Sequence, residues 1–99
     1  MKLNTIKEST KPDKKLMAIF KVEDKEKLVH FGQRGSTTYL DGATDEQRAN
    51  YRARHKVNEN WRDPMSPGAL SRFILWGETR SLTKNIQAFK MKFGLHGPL

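Results

Sequence analysis

The stretch RHKVNENWRDP, Arg54 to Pro64, crowds a base, cations, amides, acids and a tryptophan into one short run. His55 and Glu59 form an acid–base pair if the chain bends between them. Asn58 and Asn60 could read adenine edges, an arginine could read guanine, and Trp61 could stack on an unpaired base. The plainer reading is a polar corner. A tryptophan between a helix and a proline-rich turn anchors a core, with its N–H tied to a local acceptor. Asn bonds nearby backbone, and Asp63 before Pro64 forms a turn. For Trp61 and Asp63 the structural reading is favoured.

Just upstream lies a row of cations. Arg48 and Arg52 are four apart, with His55 and Lys56 three and four further on, so they share a helical face. Arg54 points elsewhere. Such a row suits successive phosphates, and arginine can grip two oxygens at once; most rows of this kind are only solvated. Arg34, in the glycine loop FGQRGSTTY, and Arg80 are outlying candidates. The loop matches neither a Walker loop nor a dinucleotide fingerprint, so a connection leaving a hairpin is the better reading.

Catalysis has thinner support. There is no cysteine, which removes disulfides, Cys-bound zinc and a thiol nucleophile. His30, His55 and His96 lack metal-ligand spacing. A nuclease-like metal cluster would have to be assembled from Asp41, Asp45, Glu59 and Asp63, and nothing in their spacing requires it. No catalytic residue, metal or cofactor is assigned.

These residues need elements to hold them. LMAIFKV (16–22) and KLVHF (27–31) flank the polar EDKE and predict a β-hairpin, with STTYL (36–40) as a third strand. Thr44 with Gln47 makes a capping box for a helix over 45–57, whose weak apolar stripe is Ala49, Ala53 and Val57, with Tyr51 beside it. Ser66 with Pro67 starts a second helix that carries Leu70, Phe73, Ile74 and Leu75 and ends at Gly77. Phe73 and Trp76 are read as core. Ser81 caps a third helix, whose Leu82, Ile86, Phe89 and Phe93 share a face until Gly94. The fold class is therefore α+β: a small antiparallel β-hairpin or three-stranded sheet followed by about three helices. Residues 1–15, with five lysines, are expected to be a flexible basic tail or a loose first strand. Residues 16–94 form the single compact domain, and 95–99 a C-terminal tail.

The totals agree with a small basic domain. Ninety-nine residues make one domain with a modest core. The apolar fraction is 35%, and the net charge is +8. Residues 1–44 hold nine Lys/Arg against six Asp/Glu, and 45–99 hold ten against five, so the excess is spread along the chain. Such a field attracts polyanions. No apolar run approaches a membrane span and the N-terminus lacks a signal-peptide core, so a soluble intracellular protein is expected.

At LVHFGQRG, at YRARHKVNENWRDPMSPGALSRFILWG and at FKMKFGL, the chain resembles a family of small uncharacterised proteins encoded by large double-stranded DNA viruses of algae and amoebae. The resemblance covers roughly residues 15–95 and is most specific from Tyr51 to Trp76. It implies a viral setting, in the host cytoplasm or nucleus or in the virion, and leaves the chemistry open. The expectation is a non-enzymatic domain that associates with nucleic acid through Arg34, Arg48, Arg52, Arg54, His55, Lys56 and Arg80. The alternative is a virion structural or adaptor protein docking on a capsid or host protein. A small metal-dependent nuclease is the third reading.

Overall fold

In the central strand, Leu16, Ala18, Phe20 and Val22 alternate with Lys15, Met17, Ile19 and Lys21, a period that sends one set to each face of a sheet. A computed structural model of the chain describes residues 1–57 and 59–95. It shows a three-stranded antiparallel sheet in the order β1 (Lys2–Glu8), β2 (Lys14–Val22) and β3 (Lys25–Gln33). Helices then follow: α1 (Asp45–His55), α2 (Pro67–Leu70) running into a π-helical turn (Ser71–Leu75), and α3 (Leu82–Phe93). The class is the α+β one expected. None of the described helices is long and apolar enough to cross a membrane.

The hairpin is longer and tighter than expected. Its strands close on Glu23 and Asp24 alone, because Lys25 pairs with Val22. Glu23 takes the positive φ, 59°, that so short a loop demands.

The third strand comes from the N-terminus, not from 36–40. Residues 1–15 do not stand off the domain. Leu3 pairs with Phe20 and Ile6 with Ala18, so both apolar groups of β1 enter the core, and Leu3 is fully buried. The pattern was masked by lysines facing the other way, where Lys7 sits opposite Met17. Lysines suit an edge strand, since their charge discourages pairing with another chain. The loop after β1 is also fastened. The Ser9 hydroxyl meets His30 Nδ1 at 2.7 Å, and Arg34 donates to the carbonyls of Ser9 and Lys11 at 3.3 Å. Segment 36–40 fails as a strand because Asp41 competes for its backbone. Its carboxylate accepts from the Thr38 amide at 3.0 Å and the Thr38 hydroxyl at 2.9 Å, and the chain winds into a 3₁₀ turn, Tyr39–Asp41.

The helix caps form as read. Ser66 accepts from Ala69 N with Pro67 at the first position, and Ser81 accepts from Lys84 N. The second helix does run toward Trp76, but its last turn widens, with Trp76 N donating to Ser71 O at 2.9 Å. Phe89, Phe93 and Ile86 pack inward from α3, whereas Leu82 is exposed. Leu95, expected in the tail, is buried, and its carbonyl accepts from Leu3 N at 3.0 Å. Residues 96–99, including His96, lie outside the described residues.

Asn85 of α3 is, with Ser9 and Thr38, one of the buried polar residues among the described residues. Its Nδ2 donates to Ile74 O and Thr79 O at 2.9 Å each. Its Oδ1 accepts from Thr79 N at 3.2 Å and Thr79 Oγ1 at 2.7 Å. Both donors and both lone pairs of the amide are thereby used. Gly77 fits against this amide only because it lacks a side chain: a Cβ there would stand 2.7 Å from Asn85 Cγ. An unpaired buried polar group costs ~1–3 kcal/mol, and Asn85→Leu would leave several. We expect Asn85→Leu and Asn85→Asp each to destabilise the fold by about 2–4 kcal/mol in urea denaturation. The aspartate would in addition face two carbonyls that need donors.

Candidate functional site

Helix α1 begins at the capping box read from the sequence: Gln47 N donates to Thr44 Oγ1 at 3.1 Å, and Thr44 N donates to Gln47 Oε1 at 2.8 Å. The face it turns to the protein is not the alanine stripe. Ala49, Ala53 and Val57 are exposed, and Tyr51 is the buried residue of the helix. Its ring lies flat against Trp76, centroids 4.5 Å apart and planes 7° apart. His55 stacks on its other side at 4.1 Å.

The cations beside Tyr51 face the same way. Arg48 Nε donates to Gly77 O at 2.7 Å. Its Nη2 lies 3.0 Å from Glu78 Oε1, an ion-pair contact outside hydrogen-bonding geometry. Arg52 Nη2 donates to the same carboxylate oxygen at 2.9 Å. The face read as a phosphate row is therefore the one that docks α1, and Glu78 bridges its first two members. Arg80 donates to Tyr39 O at 3.0 Å, with its guanidinium 4.0 Å above that ring. Arg34 pairs with Glu8 at 3.1 Å in addition to its loop carbonyls. Lys56 is exposed at the end of the helix, where its amide donates to Arg52 O.

Arg54 and His55 turn toward a cleft of about 590 Å³ between α1, the loop after β3 and the start of α2. From α1 the cleft takes Gln47, Asn50, Tyr51, Arg54 and His55, a spacing that puts them along one side of the helix. Lys14, Thr37 and Ser36 line the sheet side, and Ser71 and Trp76 the floor. The chain does bend after α1, and the Glu59 carboxylate meets His55 Nδ1. Gly68 lies directly behind Glu59, and a side chain there would drive into that carboxylate. Lys14 and Arg54 form no ion pair among the described residues. Sequence reasoning missed Lys14, Asn50 and Gln47, since nothing local says that β2 and α1 share a cleft.

The other carboxylates considered for a metal are dispersed. Asp41 binds Thr38 and, at 3.1 Å, Lys15; the Thr38 amide first and then its hydroxyl and Lys15 hold its pKa below the usual value against the effect of burial. Asp45 accepts from the Tyr39 hydroxyl at 2.6 Å, which raises that phenol. Asp63 makes the turn expected of it, accepting from Met65 N at 2.9 Å. Among the described residues no three His, Asp or Glu side chains gather as a metal-binding group. Trp61 sits edge-on to Phe73 at 6.5 Å beneath the Arg72 guanidinium. Its indole N–H lacks the expected acceptor among the described residues. Asn60 makes a local turn by accepting from Arg62 N. Asn58 lies outside the described residues.

Sheet, docked helix and polar cleft define a small basic α+β protein with one wall of its cleft held on by side chains. The chain belongs to a family of unknown function, DUF5754, whose model matches residues 4–55, from β1 through α1. A relative is an uncharacterized protein of Acanthamoeba polyphaga mimivirus, 39% identical over 75 residues that span 69% of this chain and 75% of the relative. The viral family suggested by the sequence is thus the right one, although the family match covers the sheet and α1 and stops near the start of the Tyr51–Trp76 block. No solved structure matches the chain.

Two outcomes follow from the docking of α1. Glu78→Ala frees Arg52 and leaves Arg48 only its backbone acceptors, so amide hydrogen exchange across α1 should speed up about tenfold while α3 keeps its protection. Tyr51 governs the second. Burial first, then the Glu59 charge, pushes its phenol up to about 12 from 10.0, against Ser71, Arg72 and Arg54. The folded state holds this proton more tightly than the unfolded chain. That contribution is complete below pH 10.0 and is lost as the pH rises through about 12. An alkaline titration of phenolate absorbance should show a late step that disappears in Tyr51→Phe.

Proposed function

We propose that the protein is a non-enzymatic, nucleic-acid-associated basic domain that holds phosphates at the cleft and the end of α1. The observation that carries this reading is the pairing of its charges. Among the described residues, four of the nineteen Lys and Arg are in ion pairs, Lys15, Arg34, Arg48 and Arg52. Lys14, Arg54 and Lys56 have no carboxylate partner among the described residues. Lys14 and Arg54 line one cleft and Lys56 lies two residues beyond Arg54, and uncompensated cations attract a polyanion with little dependence on base sequence. The contacts are assigned to Lys14, Arg54 and Lys56 in preference to Arg48 and Arg52, whose guanidinium groups are occupied in docking α1.

A second reading has its own support in the open face of the sheet. Leu28 is 53% exposed there, paired with Ile19, with Lys2 and Lys21 toward one end of that face and Lys7 toward the other. A capsid or host protein docking on that face would bind with little dependence on salt.

Salt separates the two. Three neutralised phosphates give a log–log slope of affinity against salt near −2.7 on duplex DNA and about −2 on single-stranded RNA. Arg54→Gln with Lys56→Gln should flatten it to about one third. A slope near zero in the unaltered chain removes the nucleic-acid reading and leaves the protein partner.

A further inference from the structure

We infer that the cleft beside α1 is a binding site for a single nucleoside phosphate. The inference deepens the phosphate-contact reading and rests on it for the class of ligand. The cleft itself supplies the rest.

Size comes first. About 590 Å³ falls inside the ~300–1,000 Å³ of small-molecule sites. It admits one nucleotide. Charge comes second. Lys14 enters from β2 and Arg54 from α1, and neither is in an ion pair among the described residues. The acid within the cleft, Glu59, is engaged by His55. A phosphate is thus met by two cations, with the cleft's carboxylate held by His55. The third element is a flat surface with an amide beside it. His55, Tyr51 and Trp76 form a continuous stack, and Trp76 and His55 both border the cleft. A nucleobase can lie against such rings in any sequence. Asn50 stands one helical turn before Arg54 and makes no hydrogen bond among the described residues, so its carboxamide is left to pair with a base edge. Since Glu59 takes His55 Nδ1, the nitrogen left for the ligand is Nε2.

These groups fit together chemically. Phosphate, ring and base edge each have a matching partner. The walls are preset: α1 is fixed by the Tyr51–Trp76 stack and the Glu78 bridge, and Glu59 is seated over Gly68. The ligand is a free nucleotide or one unstacked nucleotide of a single strand, which share this chemistry.

The test is a titration with adenosine 5′-monophosphate, adenosine, inorganic phosphate and a short single-stranded RNA. Trp76 fluorescence in a Trp61→Phe chain is the signal, since Trp76 is then the remaining tryptophan. Should that variant fail to fold, the Asn50 side-chain amide in the unaltered chain is followed by NMR. The nucleotide should saturate the signal with a dissociation constant on the order of 0.1 mM, at least about tenfold tighter than phosphate or adenosine alone. Arg54→Gln and Asn50→Ala should each weaken it about fivefold or more, with no change in melting temperature. Displacement of the nucleotide by RNA identifies a strand as the source; nucleotide binding that RNA leaves untouched identifies the free nucleotide. Absence of saturation, an equal response to phosphate and nucleotide, or indifference to Asn50→Ala overturns the site. If duplex DNA still binds with its full salt slope in that event, the phosphate-contact reading survives. If no polyanion binds, both fall.

Discussion

One side-chain amide holds the architecture on which the cleft depends. Asn85 is buried, and three of its side-chain hydrogen bonds reach Thr79 in the strap between the π-turn and α3, while the fourth holds Ile74 O of the π-turn. That strap carries Gly77 and Glu78. The carbonyl of Gly77 and the carboxylate of Glu78 are what Arg48 and Arg52 hold. Through this chain of contacts, a residue on the third helix fixes the position of the first. Helix α1 needs the help, because it buries no apolar stripe and contributes Tyr51 alone to the interior.

The arrangement sorts its arginines by partner. Arg48 and Arg52 neutralise one carboxylate between them, and Arg72 lies over Trp61 and Phe73 with its own pKa lowered, first by burial and then by Arg48. Guanidinium tolerates such sites because its charge is delocalised and weakly hydrated. Lys14 and Arg54 at the cleft and Lys56 at the end of α1 are among the cations without a carboxylate partner among the described residues. Some of the arginines that look best suited to binding an anion are thus used internally, in docking α1.

What could be read from sequence was what is decided locally. Thr44, Ser66 with Pro67, Ser81 and Gly94 set helix ends through hydrogen bonds to residues three or four away, and each is where the capping pattern puts it. The turn at Asp63 and the His55–Glu59 pair were legible for the same reason. What depends on distant partners was not. The binding of Arg48 and Arg52 to Glu78 spans about thirty residues of chain. Leu3 and Ile6 look like stray apolar groups among lysines until β2 is placed beside them. Lys14 joins the cleft only once the sheet and α1 are set side by side. Segment 36–40 misled through propensity, since Thr and Tyr favour strands until a nearby aspartate offers the backbone something better.

The bond from Leu3 N to Leu95 O ties the first strand to the end of the last helix. A ribosome makes residue 3 some ninety residues before residue 95. During synthesis β1 can pair with β2, yet the pocket for Leu3 stays open on one side until α3 has emerged and turned back. The nascent sheet, complete at Gln33, therefore waits with an uncovered apolar face until α3, Leu82–Phe93, has been made. The lysines along β1 keep that waiting chain charged, and so discourage it from joining a neighbour on the same polysome.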